Sequence, residues 1–225
     1  MSWFRQLGAV IAKDVLVELR SPTRVSGLFF YGLALLLLVA FASNTTDIMR
    51  KQAGGILWIG MLLASTRSFD QSFGAEFEEG AMEGLVLWPV HPVALYYGKA
   101  ISNSFILVVV AAALMPLLVA LYDVSIRGDI GALALNLLLG CTALAAPGTL
   151  LALITTQARG ASVLLPLLLF PTVVPAVLAA SRATTLIIEG DPMGQVGAWL
   201  WVLAAVNLLH WSISGVLFAK AVEDG

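Results

Sequence analysis

Charge is what this chain has least of. Only 12% of its 225 residues are Asp, Glu, Lys or Arg, against about 25% in an ordinary soluble domain. Hydrophobic residues make up 60% and the mean hydropathy is +0.94. Length alone suggests one or two globular domains, but long apolar runs override that prior. A formal net charge of −2 argues against nucleic acid, which calls for a basic face. The single cysteine, Cys141, excludes an internal disulfide framework; set among Leu138, Leu139 and Leu144, it reads as a buried small hydrophobe.

Catalytic motifs are absent too. There is no G-x-x-x-x-G-K-[ST] phosphate loop, no H-E-x-x-H, no C-x-x-C-H and no G-x-S-x-G. Two histidines remain. His91 stands in the turn "WPVHPV" and reads as solvated loop. His210 stands in "NLLHWSISG", within an apolar run, where an imidazole is a functional candidate by default. Two readings apply to it: a hydrogen bond to Asn207 or a facing helix, or contact with a haem as an axial ligand. A lone histidine builds no metal site, and the simpler hydrogen bond is the preferred reading.

What is present is membrane-spanning sequence. A span needs about 17–25 mainly apolar residues to cross some 30 Å of hydrocarbon. Six segments meet or approach this: Val25–Ser43, Gly54–Phe69, Ile101–Leu121, Ile130–Thr155, Ala161–Ala180 and Val196–Ala219. Near the end of the first stands Ala40-Phe41-Ala42, which has the form of a signal-peptidase site. Its long, mixed-charge leader points instead to a retained first helix. The second is the weakest because Arg67 lies near its end, where it either snorkels or caps a helix running on into water. The connecting loops are short, chiefly Asn44–Ala53, Tyr122–Asp129 and Ser181–Gln195 on the outer face. They leave no room there for a second domain.

Lys and Arg set the orientation. With the N-terminus inside, eight cations fall on the cytoplasmic side (Arg5, Lys13, Arg20, Arg24, Arg67, Lys99, Arg159 and Lys220) and four outside (Arg50, Lys51, Arg127 and Arg182). The asymmetry favours both termini in the cytoplasm. Before the first span, residues 2–21 place Trp3, Phe4, Leu7, Val10, Ile11 and Val15 on one arc of a helix, with Arg5, Lys13 and Arg20 opposite. This suits a helix lying in the membrane interface and stopped by Pro22. Asp14 and Glu18 interrupt the apolar arc; they form either a wet notch or an ion pair with a cation such as Arg67 or Arg159. In "LLPLLLFPTVVPAVL", Pro166, Pro171 and Pro175 each remove a backbone donor. The fifth span is therefore expected to be kinked or broken, and placed at an interior seam or moving part rather than against lipid.

The stretch "EFEEGAMEGLVLWP" gathers Glu76, Glu78, Glu79 and Glu83 within eight positions. On a helix, Phe73, Phe77, Ala81 and Leu85 share one side, and Glu76, Glu79 and Glu83 follow another. Such carboxylates offer charge-assisted pairing to a basic partner; the alternative is a merely solvated loop. The motif resembles the coupling segment of ABC-2-type permeases, the membrane halves of certain ATP-driven transporters. Together with "KDVLVELRSP" (Lys13–Pro22), "RSFDQSFGAEFEEGAMEGLVLWPV" (Arg67–Val90) and "GTLLALITTQARGASVLLPLLLFPTVVPAVLAA" (Gly148–Ala180), it resembles the CcmB family. That family supplies the permease subunit of bacterial cytochrome c maturation.

The resemblance implies an all-α membrane protein, one permease domain over residues 1–225. Six transmembrane helices would follow an interfacial helix (2–21), with a cytoplasmic coupling segment at 67–99. It implies the bacterial inner membrane, an ABC ATPase subunit (CcmA-like), a haem-handling membrane protein (CcmC-like) and a small helical subunit (CcmD-like). A haem chaperone (CcmE-like) would take part indirectly, and a second copy of the permease is implied. ATP would be bound and hydrolysed in the partner, so this chain is expected to be no enzyme and to bind no cofactor itself; haem is a possible handled ligand. ATPase contacts would fall at Glu76, Glu78, Glu79, Gly80, Glu83 and Gly84, with Arg67, Asp14, Glu18 and Arg159 as pivot or ion-pair candidates. "GAWLWVL" (Gly197–Leu203) lacks the acidic ending of a tryptophan-rich haem motif, which favours force transmission over haem binding. The competing readings are a permease for a lipid, glycan or drug, and a non-transport membrane enzyme or scaffold.

Overall fold

In the computed structural model the described residues are 3–43, 46–78, 92–157 and 163–223, and they form seven α-helices with no strand among them. These are α1 (Trp3–Arg20), α2 (Thr23–Ala42), α3 (Thr46–Glu78), α4 (Pro92–Leu121), α5 (Ile130–Gln157), α6 (Leu164–Glu189) and α7 (Val196–Glu223). Five of them, α2 and α4 to α7, are long and apolar enough to cross a membrane. The weak second span instead falls on α3, whose 33 residues include Arg50, Lys51, Arg67 and Asp70.

Although too polar for a lipid-facing span, α3 runs among four of the other helices. It packs against α2, α4, α5 and α6, and Ala53, Leu57, Trp58, Met61 and Phe69 are almost fully buried. Its serines are buried as well: Ser65, Ser68 and Ser72. Of the five apolar helices α5 is the most enclosed and α2 the least. The outer faces of α2, α6 and α7 carry exposed Phe41, Leu38, Leu167, Val174, Trp201 and Leu208, the wide apolar surface expected of a protein solvated by lipid.

Two glycines decide how closely helices approach. A Cβ at Gly140 of α5 would overlap the indole of Trp58 on α3, and one at Gly98 of α4 would lie 2.6 Å from Cγ1 of Val10 on α1. Cys141, next to Gly140, is fully buried and free.

Several boundaries differ from the sequence expectation. The loops expected at Asn44–Ala53 and Ser181–Gln195 are largely helix, because α3 begins at Thr46 and α6 runs to Glu189. Helical hydrogen bonding continues past the apolar stretch wherever polar side chains can reach water, so hydropathy marks hydrocarbon and not helix ends. No break interrupts the proline-rich span either, since α6 is continuous from Leu164. Pro166 is its third residue, in the first turn, where the missing N–H has no intrahelical partner in any case. Pro171 and Pro175 lie inside the helix, and both are exposed on the single chain rather than turned to an interior seam.

Replacing Gly140 with Leu is expected to cost about 1–3 kcal/mol through overpacking against Trp58, lowering the melting temperature in detergent by about 2–4 °C per kcal/mol. Adding Trp58→Phe should restore part of the loss. An unchanged melting temperature in Gly140→Leu would contradict the α3–α5 contact.

Candidate functional site

From α2 onwards the helices alternate in direction, so the start of α2, the end of α3 and the start of α4 meet at one end of the bundle, where α1 packs against α4. Buried polar groups gather there. Lys99, one residue past Gly98 on α4, is 1% exposed. Its Nζ donates to the Ser72 carbonyl of α3 at 3.0 Å and lies 3.7 Å from Oδ2 of Asp14 on α1. Lys13 reaches the other oxygen of Asp14 at 3.4 Å from a more exposed position. A buried ammonium needs a carboxylate and further acceptors, and Lys99 has both. One side chain thereby joins α1, α3 and α4.

A second link lies one turn further into the bundle. Arg24 of α2 donates through Nη2 to the carbonyl and Oγ of Ser68 on α3, both at 3.1 Å, and to Oδ1 of Asn103 on α4 at 2.7 Å. Asn103 Nδ2 donates to Oγ1 of Thr149 on α5 at 2.9 Å, and Thr149 donates back to the Ala145 carbonyl. A continuous polar chain thus crosses α2, α3, α4 and α5. Glu18 is buried and accepts the Val25 backbone N–H at 2.9 Å. It sits at the first turn of α2, where backbone donors lack helical partners and a carboxylate is favoured.

These contacts place the sequence candidates. Asp14 and Glu18 lie on the face of α1 turned to the protein, not at a wet rim. Among the described residues Asp14 meets Lys99 and Lys13, not Arg67, and Glu18 meets the backbone of α2. Arg67 is exposed and lines a cavity of about 170 Å³ with Arg24, Tyr31, Ser68 and Gln71. It forms no ion pair among the described residues, Asp14 and Glu18 included. Of the coupling candidates, Glu76 and Glu78 fall on the last turn of α3. Glu79, Gly80, Glu83, Gly84, Arg159 and His91 lie outside the described residues.

Sequence reasoning missed Arg24, Lys99, Asn103 and Thr149 as a set. The available signal was Ser102-Asn103-Ser104, a polar triplet at the start of an apolar run, with a cation four residues before the amide.

Mid-bundle polar groups form two further sets. Asn136 of α5 donates through Nδ2 to the Ala180 carbonyl at 3.1 Å and to Oγ1 of Thr184 on α6 at 2.8 Å. Trp58 Nε1 donates to the same Thr184 oxygen at 2.9 Å. On the other side of α5, Asn207 of α7 donates to the Leu139 carbonyl at 2.7 Å. Trp211 Nε1 donates to the Thr142 carbonyl at 3.2 Å, and Nδ1 of His210 lies 3.0 Å from the Ala143 carbonyl. His210 therefore bonds a facing helix, not Asn207.

At the opposite end of the bundle Arg50 pairs with Asp123. Arg50, Lys51 and Arg127 line one depression together with Asp123 and Glu189. Lys51 and Arg182 line its neighbour. The four cations assigned to one side by sequence are thus gathered at one end. No cluster of three or more His, Cys, Asp or Glu suited to a metal occurs among the described residues.

The family model of the CcmB protein matches residues 5–225. Curated relatives cover nearly the same length. Heme exporter protein B of Pseudomonas aeruginosa is 28% identical over 200 residues, 88% of this chain and 89% of that one. Its namesake from Rhodobacter capsulatus is 32% identical over 166 residues, 72% of this chain and 76% of that one. The Bradyrhizobium diazoefficiens protein of the same name is 29% identical over 227 residues, 97% and 98% of the two chains.

Lys99→Met removes the buried cation between Asp14 and the Ser72 carbonyl, leaves Asp14 with Lys13 alone, and should destabilise the protein by about 1.5–3 kcal/mol. Asp14→Asn together with Lys99→Met should cost less than the sum of the two single changes. A double-mutant cycle on thermal unfolding checks this; strictly additive losses would contradict the pairing.

Proposed function

Because the chain belongs to the CcmB family, we propose that it is the multi-pass permease subunit of an ABC transporter complex for cytochrome c maturation. In this reading it couples ATP hydrolysis in a separate, CcmA-like ATPase to haem delivery or to the release of haem-loaded chaperone. It carries no ATPase of its own. It works beside a CcmC-like haem-handling protein and a CcmD-like helical subunit, acts indirectly on a CcmE-like chaperone, and pairs with a second copy of itself. Family membership, and relatives named as haem exporters, support this over a permease for a lipid, glycan or drug.

In the proposed topology α2 to α7 are six spans, α1 lies along the cytoplasmic interface, and both termini are cytoplasmic in the bacterial inner membrane. The membrane end that carries Lys99 and Arg24 is then the cytoplasmic one. The larger share of Lys and Arg on that side supports the orientation.

The observation that carries the mechanism is the continuity of α3. Its 33 residues measure about 50 Å at 1.5 Å each, well beyond the ~30 Å hydrocarbon layer. One rigid rod therefore joins the bundle centre to Glu76 and Glu78, where the acidic stretch begins. Movement of Glu76, Glu78, Glu79 and Glu83 by a closing ATPase pair would pass along that rod, with Gly80 and Gly84 allowing close approach of the partner backbone. Lys99 and Arg24, bonded to Ser72 and Ser68, would carry it into α1, α2 and α4. A stroke of this kind needs packed elements with two discrete arrangements.

Reversal of the acidic charge tests the coupling. Glu76→Lys combined with Glu83→Lys should leave membrane insertion intact while cytochrome c maturation per ATP hydrolysed falls at least tenfold. Loss of even one charge-assisted contact is worth about 1.5–3 kcal/mol, enough for that effect. Wild-type coupling in the double mutant, with the complex still assembled, would overturn the proposal.

A further inference from the structure

Between α5, α6 and α7 lies a cleft of about 460 Å³ whose walls include Pro147, Leu151, Pro175, Ile213 and Leu217, with His210 set among them. Half-exposed Leu209, Ile213 and Leu217 show that it opens on the outer, lipid-facing side of the bundle. Thr172, a hydroxyl on its wall, donates back to the Leu168 carbonyl of its own helix.

His210 itself is 8% exposed. Its Nδ1 faces the Ala143 carbonyl at 3.0 Å, and a carbonyl can only accept. In the neutral ring the hydrogen therefore sits on Nδ1 and the lone pair on Nε2. No hydrogen bond engages Nε2 among the described residues. A lone pair without a donor in an apolar wall is costly to keep. It is also the state a metal requires: ligating histidines characteristically donate their other N–H to a backbone carbonyl or carboxylate, which fixes the ring and raises its basicity.

We propose that this cleft binds haem, with Nε2 of His210 as an axial ligand to the iron. The inference rests on the reading that the chain handles haem, and it names where. An apolar cleft asks for an apolar ligand, and an imidazole lone pair inside it asks for a metal; a metalloporphyrin meets both demands. The imidazole gives its electron pair to iron and displaces water or another weak ligand. The iron keeps its oxidation state and no carbon bond forms.

The propionates need a cation, and α7 supplies one. At 100° per residue, Lys220 falls on the same arc of α7 as Leu209 and Ile213, and it is exposed. Ten residues separate it from His210, about 15 Å along the axis, a span bridged by a propionate arm and a lysine stem reaching towards each other. A lysine near a helix end reaches along the apolar surface with its charge at the interface.

Ferric haem titrated into the purified full-length chain in lipid nanodiscs tests this. The wild type should give a saturable Soret shift and the resonance Raman signature of histidine ligation. His210→Ala should weaken binding at least tenfold and abolish that signature, and free imidazole should restore it in His210→Gly. Lys220→Ala should weaken binding a few-fold with an unchanged spectrum. Ile213→Trp, which fills the cleft and leaves the histidine in place, should also abolish saturable binding, and it decides the matter if the histidine variants do not fold. Wild-type titrations in His210→Ala or Ile213→Trp, or uptake by the wild type that never saturates, would overturn the site. ATPase association, measured on the same preparations, separates the two claims: its persistence without a His210-dependent spectrum removes only the haem site. A His210-dependent spectrum without ATPase association would remove the permease reading instead.

Discussion

Hydrocarbon offers no hydrogen bonds, and the structure is arranged around meeting that constraint for one helix. α3 holds Ser65, Thr66, Arg67, Ser68, Asp70 and Ser72 within eight residues, too polar a sequence to sit against lipid. Its three serines are turned inward while Arg67 and Asp70 stay exposed, and neighbours answer two of them: Arg24 takes both oxygens of Ser68 and Lys99 takes the Ser72 carbonyl. The five apolar helices provide the surface that lipid sees, and α3 is enclosed among four of the other helices. Buried cations are expensive unless paired and fully bonded, so these contacts fix which helices are neighbours more firmly than apolar packing alone.

The same contacts make the inner helices behave as a connected body. Lys99 ties α1 and α3 to α4, and the Arg24–Asn103–Thr149 chain ties α2, α3, α4 and α5. Further along the bundle Trp58, Asn136 and Thr184 join α3, α5 and α6. Displacement of the α3 end that bears the acidic residues therefore acts on several helices at once. α7 packs mainly against α5 and α6, is hydrogen-bonded to α5 through Asn207, His210 and Trp211, and holds one wall of the cleft. In the proposed account the cleft and the acidic end of α3 are separate in space and joined through α5.

Much of this was legible in the sequence because hydropathy reports lipid contact directly. Five apolar runs became α2 and α4 to α7, and the chain belongs to the family that its acidic stretch, Lys13–Pro22 and Gly148–Ala180 resemble. Helix ends were not legible, since α3 and α6 continue past their apolar stretches on hydrogen bonds that hydropathy does not measure. Nor was the consequence of three prolines: one falls in the first turn of α6 and costs no bond, and the other two leave the helix unbroken. Asp14 and Glu18 stood out correctly as misfits on an apolar arc. Their partners did not, because periodicity tells which face a residue takes and not which helix lies across from it. Lys99 was counted among the loop cations, yet its side chain is buried; sequence position near a span end does not distinguish a snorkelling lysine from an enclosed one. The partner of His210 was likewise a carbonyl, which no sequence pattern advertises.

The central claim is that α3 passes through the membrane inside the bundle and delivers its acidic end to the cytoplasm. Cysteines introduced as Gln52→Cys and Glu79→Cys, one at a time, can be probed in right-side-out and inverted membrane vesicles with an impermeant maleimide; the native Cys141 is fully buried and supplies the unreactive background. The account predicts that residue 52 is labelled only from the periplasmic side and residue 79 only from the cytoplasmic side. Labelling of both positions from the same side would contradict it.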